Sequence, residues 1–327
     1  MTIRTLIEES VDVRLSTLLD QDAHEIGGQR SWTAKGSRLA YAARCHRAGL
    51  ACDLALYDAV GVARAHPRLP VLNKSYGVWI HGVEVWDSLS ADRERALRGA
   101  DFVLVNSQFT LDRFNMLYPP LKNAHVVCLA TEEDTAPPQA RFDGPPTALL
   151  IGRSDKHNFR KGHKEVIESW AAVTAAVPGA RLLLAGGGDG LDLLRETAAA
   201  SSARGSIEVL GFVPEDDLPA LWARAHVFVQ PSWKEGFGLV YIEAMRHGLP
   251  VIASIHDAGR EVNDDGVTGY NVDLSCPKSL ADRLICLLRS PDAAQSMGAA
   301  GQERWRQQFR FSAFKKRLAG TLDAVMH

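Results

Sequence analysis

The sequence has little of what marks a membrane-spanning, disulfide-rich or nucleic-acid-binding protein. None of its apolar runs is long enough to cross a bilayer as a helix, so we expect no membrane-spanning segment. The five cysteines are scattered without metal-ligand spacing, which favours a reducing, cytoplasmic location over a disulfide framework. The N-terminal segment is charged and lacks the apolar core of a signal peptide. A formal net charge of −2 gives no reason to expect a nucleic-acid partner.

The remaining composition is that of a globular protein. Hydrophobic residues make up 46% and charged residues 23% of the 327 residues, which is enough chain for two domains with separate cores. Short apolar runs alternate with helical patterns, and this predicts an α/β fold with parallel sheets covered by crossover helices. The predicted strands lie at residues 53–57, 78–81, 102–106, 125–129, 148–152, 181–185, 207–210, 227–230 and 251–253.

Proline and glycine mark a linker between the two halves. Pro137-Pro138 is soon followed by Gly144-Pro145-Pro146, which is the strongest linker signal in the chain. We therefore predict a Rossmann-like N-terminal domain over residues 1–142 and a second one over residues 143–327, with the last helix packing back on the first domain. The first domain is predicted to be shortened, because no clear strand precedes residue 53. Two such domains would bind ligands in the cleft between them.

The segment 231–245 carries the strongest chemical signal. Gly236 and Gly238 allow a tight turn that brings backbone N–H groups close to a ligand, at the start of a predicted helix. Glu235 precedes this helix and Glu243 falls about two turns later, where a carboxylate would be buried unless it met a ligand. The alternative is an ordinary strand–loop–helix in which Glu235 is a first-turn acid stabilised by the helix dipole.

Glu235 and Glu243 are separated by seven residues, and the residues that follow read AMRHGLPVIA. This pattern resembles the E-x7-E signature of retaining GT-B glycosyltransferases, in particular glycosyltransferase family 4. Three further segments resemble motifs of that family in the same order. They are Arg153-Ser154 with Arg160-Lys161-Gly162-His163, then Gly211-Phe212-Val213-Pro214, and then Asp265-Gly266-Val267-Thr268-Gly269-Tyr270. The resemblance is dense over residues 148–325 and loose over residues 53–130.

The resemblance implies a GT-B fold and transfer of a sugar from a nucleoside-diphosphate sugar to a glycan, lipid-linked or small-molecule acceptor, with retention at the anomeric carbon. It implies that Arg153 and Lys161 hold the diphosphate, and permanent cations can stabilise the charge of this leaving group without a metal or a cofactor. It also implies that Glu235 binds the transferred sugar and Glu243 the ribose. The remaining donor-site residues implied are Gly162, Phe212, Val213, Phe237, Gly238 and Leu239.

In the first half, His81 follows a predicted strand and is a candidate catalytic residue. A histidine here could hydrogen-bond a sugar hydroxyl or move a proton, although a lone histidine after a strand is more often structural. Glu84, Trp86 and Asn106 are predicted to lie on the acceptor side, because aromatic faces suit sugar rings and strand ends face a cleft.

Several alternatives remain open from the sequence. A shortened first domain also fits a non-catalytic nucleotide-sugar binder, and a GT-B epimerase or phosphorylase would share these motifs. The basic stretches 30–47 and 304–317 suit peripheral contact with the inner face of the membrane, or are solvated faces. The donor base, the sugar, the acceptor and the oligomeric state are not determined by these residues.

Overall fold

Alternating strands and helices make up most of the chain, as the sequence predicts. The computed structural model describes residues 1–26, 28–67, 74–138, 142–156 and 160–326. The chain divides into one unit formed by Met1–Leu129 with Phe311–His327 and a second formed by Ala130–Arg310. The division lies upstream of the predicted boundary at residues 142 and 143. None of the helices in the described ranges is long and apolar enough to cross a membrane.

The first unit is built on a parallel four-stranded sheet. Its elements are α1 (Thr2–Glu8), β1 (Ser16–Thr17), β2 (Glu25–Ile26), β3 (Gln29–Arg30), β4 (Trp32–Thr33), α2 (Arg38–Ala48), β5 (Leu54–Tyr57), α3 (Val60–Ala63), β6 (Ser75–Ile80), α4 (Ala91–Arg98), β7 (Phe102–Val105), α5 (Gln108–Leu117) and β8 (Ala124–Val126). The sheet has the order β5-β6-β7-β8, and two separate strand pairs, β1 with β4 and β2 with β3, precede it. In the register of β6 and β7, Trp79 lies beside Leu104 and Ile80 beside Val105.

The second unit is built on a parallel six-stranded sheet. Its elements are β9 (Thr147–Ile151), α6 (His163–Ala176), β10 (Arg181–Ala185), α7 (Leu191–Ala200), β11 (Ile207–Gly211), α8 (Leu218–Arg224), β12 (Val227–Val229), α9 (Leu239–Arg246), β13 (Val251–Ser254), α10 (Gly259–Val262), β14 (Gly269–Val272), α11 (Pro277–Arg289) and α12 (Pro291–Gln308), with single 3-10 turns at Arg204–Ser206 and Glu215–Asp217. The sheet order is β11-β10-β9-β12-β13-β14, so the winding reverses between β9 and β12. This is the order of a Rossmann fold.

Two glycines let the loop after β10 lie against the loop after β9. Gly186 has a φ of +129°, and a Cβ added there would lie 2.1 Å from the carbonyl oxygen of Gly152. Gly188 has a φ of +142°, and its Cβ would lie 2.0 Å from the carbonyl oxygen of Ser154. A side chain at either position would push these loops apart, so the glycines set the shape of this edge of the sheet.

The last helix, α13 (Phe311–Met326), belongs to the first unit. The ring of Phe314 stacks on Trp79 of β6 at 6.1 Å, and Lys315 pairs with Glu8 and Glu9 beside α1 at 3.1 and 3.0 Å. The aromatic side chains of the basic stretch 304–317 are buried, which favours the alternative that they anchor the last helices, and membrane contact of this stretch stays a prediction. These side chains are Trp305, Phe309, Phe311 and Phe314.

Candidate active site

A lysine and a glutamate form an ion pair where the winding of the larger sheet reverses. Lys161 follows β9 and Glu235 follows β12, and the Lys161 Nζ donates a hydrogen bond to Glu235 Oε2. The Lys161 side chain is 31% exposed and that of Glu235 is 16% exposed, so both are within reach of a ligand. Because β9 and β12 connect to strands on opposite sides, a crevice opens outside their carboxyl ends, where open α/β sheets bind ligands.

Three hydrogen bonds from the loop after β12 hold the chain on both sides of Lys161. The carbonyl oxygen of Arg160 accepts the Trp233 N–H at 2.8 Å and the Ser232 hydroxyl at 3.0 Å. The indole N–H of Trp233 donates to Glu165 Oε1 at 2.6 Å. The position of the lysine is therefore tied to the loop that carries its partner.

Gly162 brings the lysine turn against the same loop. It has a φ of +83° and precedes the first residue of α6, and a Cβ there would lie 2.5 Å from the carbonyl oxygen of Pro231. This conformation favours glycine, and the contact leaves no room for a side chain. Packing against Pro231 therefore requires a glycine at this position, and the role of Gly162 in the donor site stays a prediction.

The main chain of Glu235 is bonded on both sides by the loop after β13. Its N–H donates to Asp257 Oδ2 at 3.0 Å, and its carbonyl oxygen accepts the Ala258 N–H at 3.1 Å. Asp257 Oδ1 accepts the Gly259 N–H at 2.9 Å. Asp257 is fully buried, and burial, followed by repulsion from Glu235, raises the pKa of its carboxyl group to about 8. No local sequence pattern indicates this contact of Asp257, because its partner Glu235 is distant in the chain.

The turn before α9 packs on a buried tyrosine. Gly238 has a φ of +95°, and a Cβ there would lie 2.2 Å from the ring of Tyr241, whose hydroxyl donates to the Gln230 carbonyl oxygen at 2.7 Å. Phe237 is buried edge-on against Phe309 at 6.0 Å, whereas Leu239 begins α9 and is exposed. The first N–H groups of a helix have no partner within it, so this turn suits the oxygens of a sugar or a diphosphate.

Glu243 and the turn after β11 form a second part of the predicted donor site. Glu243 is half-buried in α9, and burial, followed by the charge of Glu215, raises the pKa of its carboxyl group. Glu215 belongs to the 3-10 turn that follows Phe212 and Val213. The Phe212 side chain is 77% exposed, so its ring is open to a planar base.

Arg153 is not paired with the Lys161–Glu235 ion pair. Its side chain is 76% exposed and its Nε donates to Asp155 Oδ1 at 2.6 Å, a contact that raises the pKa of the guanidinium group. The predicted role of Arg153 in holding the diphosphate requires the exchange of this carboxylate for a phosphate. That role stays a prediction.

In the first unit, three of the predicted acceptor-side residues lie together. The His81 Nε2 contacts Asp58 Oδ1 at 3.1 Å, its backbone N–H donates to Glu84, and its carbonyl oxygen accepts the Asn106 amide at 2.8 Å. Burial lowers the pKa of His81, but its hydrogen bond to Asp58 and the charges of Asp58 and Glu84 outweigh this and raise it. Trp86, by contrast, is only 2% exposed, so its indole ring is a core group in this structure.

Within the described ranges, no group of three or more His, Cys, Asp or Glu side chains is arranged to hold a metal ion. The cation of the site is Lys161. The expectation that transfer needs no metal stays a prediction.

With this geometry in place, known proteins give a direct comparison. The family model of glycosyl transferases group 1 matches residues 132–304. The chain belongs to this family. A GDP-mannose-dependent alpha-(1-6)-phosphatidylinositol monomannoside mannosyltransferase of Mycobacterium tuberculosis is 30% identical over 263 residues, which cover 74% of this chain and 68% of that protein. The prediction of a glycosyltransferase is confirmed.

Solved structures of similar fold give the architecture. HepE of Anabaena in complex with UDP and glucose has a TM-score of 0.73 at 18% identity and covers 86% of this chain and 81% of its own. Sucrose-phosphate synthase of Thermosynechococcus elongatus has a TM-score of 0.78 at 20% identity and covers 99% of this chain and 91% of its own. The predicted GT-B fold with Rossmann-like sheets is confirmed.

Proposed function

We propose that this glycosyltransferase moves a mannosyl group from GDP-mannose to a hydroxyl of a mannosylated phosphatidylinositol, with retention at the anomeric carbon. The observation that carries the proposal is the Lys161–Glu235 pair at the reversal point of the larger sheet. Lys161 supplies a cation for a diphosphate, and Glu235 supplies a carboxylate for a sugar hydroxyl. The two side chains lie within hydrogen-bond distance of each other.

The chemistry follows from these charges. The bond between the anomeric carbon and the diphosphate oxygen breaks, and both electrons leave with that oxygen. The Lys161 ammonium and the N–H groups at the start of α9 stabilise the negative charge that develops there. The acceptor oxygen forms the new bond on the face that the phosphate leaves, and its proton passes to the departing phosphate oxygen. Glu235 accepts hydrogen bonds from the sugar hydroxyls and holds the anomeric carbon in position.

The donor is proposed from the relatives together with the site. The Mycobacterium tuberculosis protein, at 30% identity, is named for GDP-mannose dependence, and the Corynebacterium glutamicum relative, at 29% identity, carries the same dependence in its name. In this chain the exposed Phe212 ring and the carboxylate of Glu243 are the groups that we assign to the base and the ribose, respectively.

The acceptor proposal rests on the same relatives, whose printed acceptors are phosphatidylinositol monomannosides. A lipid acceptor requires contact with a membrane surface, and we assign that contact to α2. This helix carries Arg38 and Arg47 on exposed positions, and the Leu39 side chain beside them is 86% exposed. Basic residues on a helix that also exposes an aliphatic side chain suit an anionic lipid surface. Phosphatidylinositol mannosides bear such a charge on the phosphate.

The test uses the intact chain with radiolabelled GDP-mannose and vesicles that contain phosphatidylinositol monomannoside. We expect a dimannosylated lipid whose new linkage has the anomeric configuration of the donor, as measured by proton–carbon coupling in NMR. UDP-glucose, UDP-galactose and ADP-glucose serve as competing donors. Transfer from one of these and not from GDP-mannose would refute the donor assignment, and an inverted product would refute retention.

A further inference from the structure

We propose that Asp257 is a positioning residue that fixes Glu235 for catalysis through the backbone of the loop after β12. The inference rests on the proposed role of Glu235 in binding the transferred sugar. Asp257 is a further residue of the site. Its carboxyl group does not touch the donor and acts through Glu235 instead.

The loop that carries Glu235 has no regular structure of its own. Glu235 lies between the end of β12 and the start of α9, where neither a helix nor a sheet pairs its N–H and carbonyl groups. Both groups are bonded instead to consecutive residues of another loop, since the N–H donates to Asp257 Oδ2 at 3.0 Å and the carbonyl accepts the Ala258 N–H at 3.1 Å. Two hydrogen bonds to the main chain of Glu235 fix its backbone, and they therefore fix the position of the Cα atom from which its side chain extends.

Asp257 is itself held in place. Its Oδ1 accepts the N–H of Gly259 at 2.9 Å, which leaves Oδ2 directed at Glu235. Gly259 in turn packs on Tyr241, because a Cβ at Gly259 would lie 2.8 Å from the tyrosine ring. The same ring lies against Gly238, in the loop that carries Glu235, where an added Cβ would lie 2.2 Å from it. The two loops therefore converge on one buried ring, and Asp257 joins them.

The arrangement requires a carboxyl group at position 257, because it uses two acceptor oxygens. Each of the two oxygens accepts one backbone N–H, and an asparagine could accept only one of them because its second atom is a donor. The side chain is fully buried, so a direct contact with the donor is excluded while these bonds are intact. A buried polar group is costly unless it is hydrogen-bonded, and the two oxygens of Asp257 are bonded to two backbone N–H groups at once.

The first test is a double-mutant cycle on transfer by the intact enzyme. We expect Asp257→Ala to lower kcat about a hundredfold and Asp257→Asn about tenfold, with the KM for the donor changed less than about threefold. Asp101→Ala is the matched control. Asp101 also accepts a backbone N–H, that of Tyr76 at 2.8 Å, but it lies in the first unit, at the N-terminal end of β7. We therefore expect the kcat of this variant to stay within about twofold of the wild-type value.

The double-mutant cycle distinguishes a role of Asp257 in positioning Glu235 from a role in the stability of the fold alone. In a Glu235→Gln background the Asp257→Ala change should lower kcat less than about threefold further, because the residue that it positions is already disabled. Equal losses in both backgrounds would overturn the inference. If Glu235→Gln retained the wild-type kcat, the proposed function would fail instead, and Asp257 would be judged by the second measurement alone.

That second measurement is hydrogen exchange of the Glu235 amide in the folded protein, followed by mass spectrometry of the segment 231–240. Both Asp257 variants should exchange this N–H faster than the wild type by at least about tenfold, since its acceptor is lost or weakened. The Asp101→Ala variant should leave it unchanged. Unaltered exchange in a folded Asp257→Asn variant would overturn the inference even if activity were lost.

Discussion

The ammonium group of Lys161 donates a hydrogen bond to the carboxylate of Glu235, although the two residues are 74 positions apart in the chain. Each charge offsets the other across the reversal point of the sheet. In the function that we propose, a bound diphosphate competes with Glu235 for the lysine, and a bound sugar takes up the carboxylate. We therefore expect ligand binding to exchange the partners of the two residues, and each can be tested separately.

Replacing Lys161 by alanine should weaken nucleotide binding itself. A charge-assisted contact with a phosphate is lost, so we expect the Kd for GDP to rise about tenfold to a hundredfold. Titration calorimetry on the intact chain measures the change. Lys164→Ala is the control, because Lys164 is exposed on α6 and pairs with Glu168 at 3.7 Å. An equal Kd in wild type and Lys161→Ala would remove the lysine from the donor site.

Replacing Glu235 by alanine should abolish transfer while leaving nucleotide binding intact. In its proposed role the carboxylate holds the sugar and not the diphosphate, so we expect kcat to fall at least about a hundredfold with the Kd for GDP within about threefold. Glu168→Ala serves as the control, since its side chain is exposed on α6. Wild-type turnover by the Glu235 variant would contradict the assignment of its role.

Signals that are local in the chain predicted much of the fold and part of the site. The spacing of Glu235 and Glu243 and the glycine turn at Gly238 lie within one strand–loop–helix, and the sequence displays them directly. β14 was not predicted as a strand, since Gly269–Val272 has only four residues and lacks a continuous apolar run. The contact between Asp257 and Glu235 joins two loops that are distant in the chain, so no local sequence pattern predicts it.

Two of the predicted site residues have neighbours in space that the sequence does not reveal. Trp86 follows a strand end and was predicted to face the acceptor, yet its ring packs against Phe109 at 5.4 Å. Arg153 was predicted to hold phosphate, and its partner in the structure is Asp155, two residues along the chain. Residue type and spacing predict the course of the backbone, whereas the direction of a long side chain depends on the groups that pack against it or pair with it.

Replacing Gly162 by alanine should destabilise the second unit and impair donor binding together. A non-glycine residue at a φ of +83° is strained, and its Cβ would meet Pro231. We expect a loss of about 1–3 kcal/mol in the free energy of unfolding, measured by urea denaturation. Gly205→Ala is the matched control, since a Cβ there meets nothing within 4 Å. Equal midpoints for the two variants would contradict the steric argument.

Removal of divalent metal should leave transfer unchanged. The proposed site neutralises the diphosphate with Lys161 and the helix start of α9, so chelation with EDTA should alter kcat by less than about twofold. Colorimetric or mass-spectrometric detection of residual metal provides the check on removal. A loss of activity that Mg²⁺ or Mn²⁺ restores would show that the leaving group needs a metal ion as well.

The stability of the protein should fall with rising pH through the titration of Asp257. Burial raises the pKa of this carboxyl group from 3.8 to about 8, so the folded chain retains a proton that the unfolded chain releases. The stability contributed by the protonated group is full below the unfolded pKa and is lost as the pH rises to the folded pKa. Between about pH 6 and pH 8 the free energy of unfolding of the wild type should therefore fall by about 2 kcal/mol relative to Asp257→Asn.

The comparison of these two proteins isolates the one group. All other titrating residues are shared, so the difference between their pH profiles reports Asp257 alone, provided that both unfold in a single transition. Denaturant unfolding at intervals of pH supplies both profiles. Parallel profiles would mean that Asp257 is ionised throughout, and the two backbone N–H groups that it accepts would then stabilise the carboxylate more than burial destabilises it.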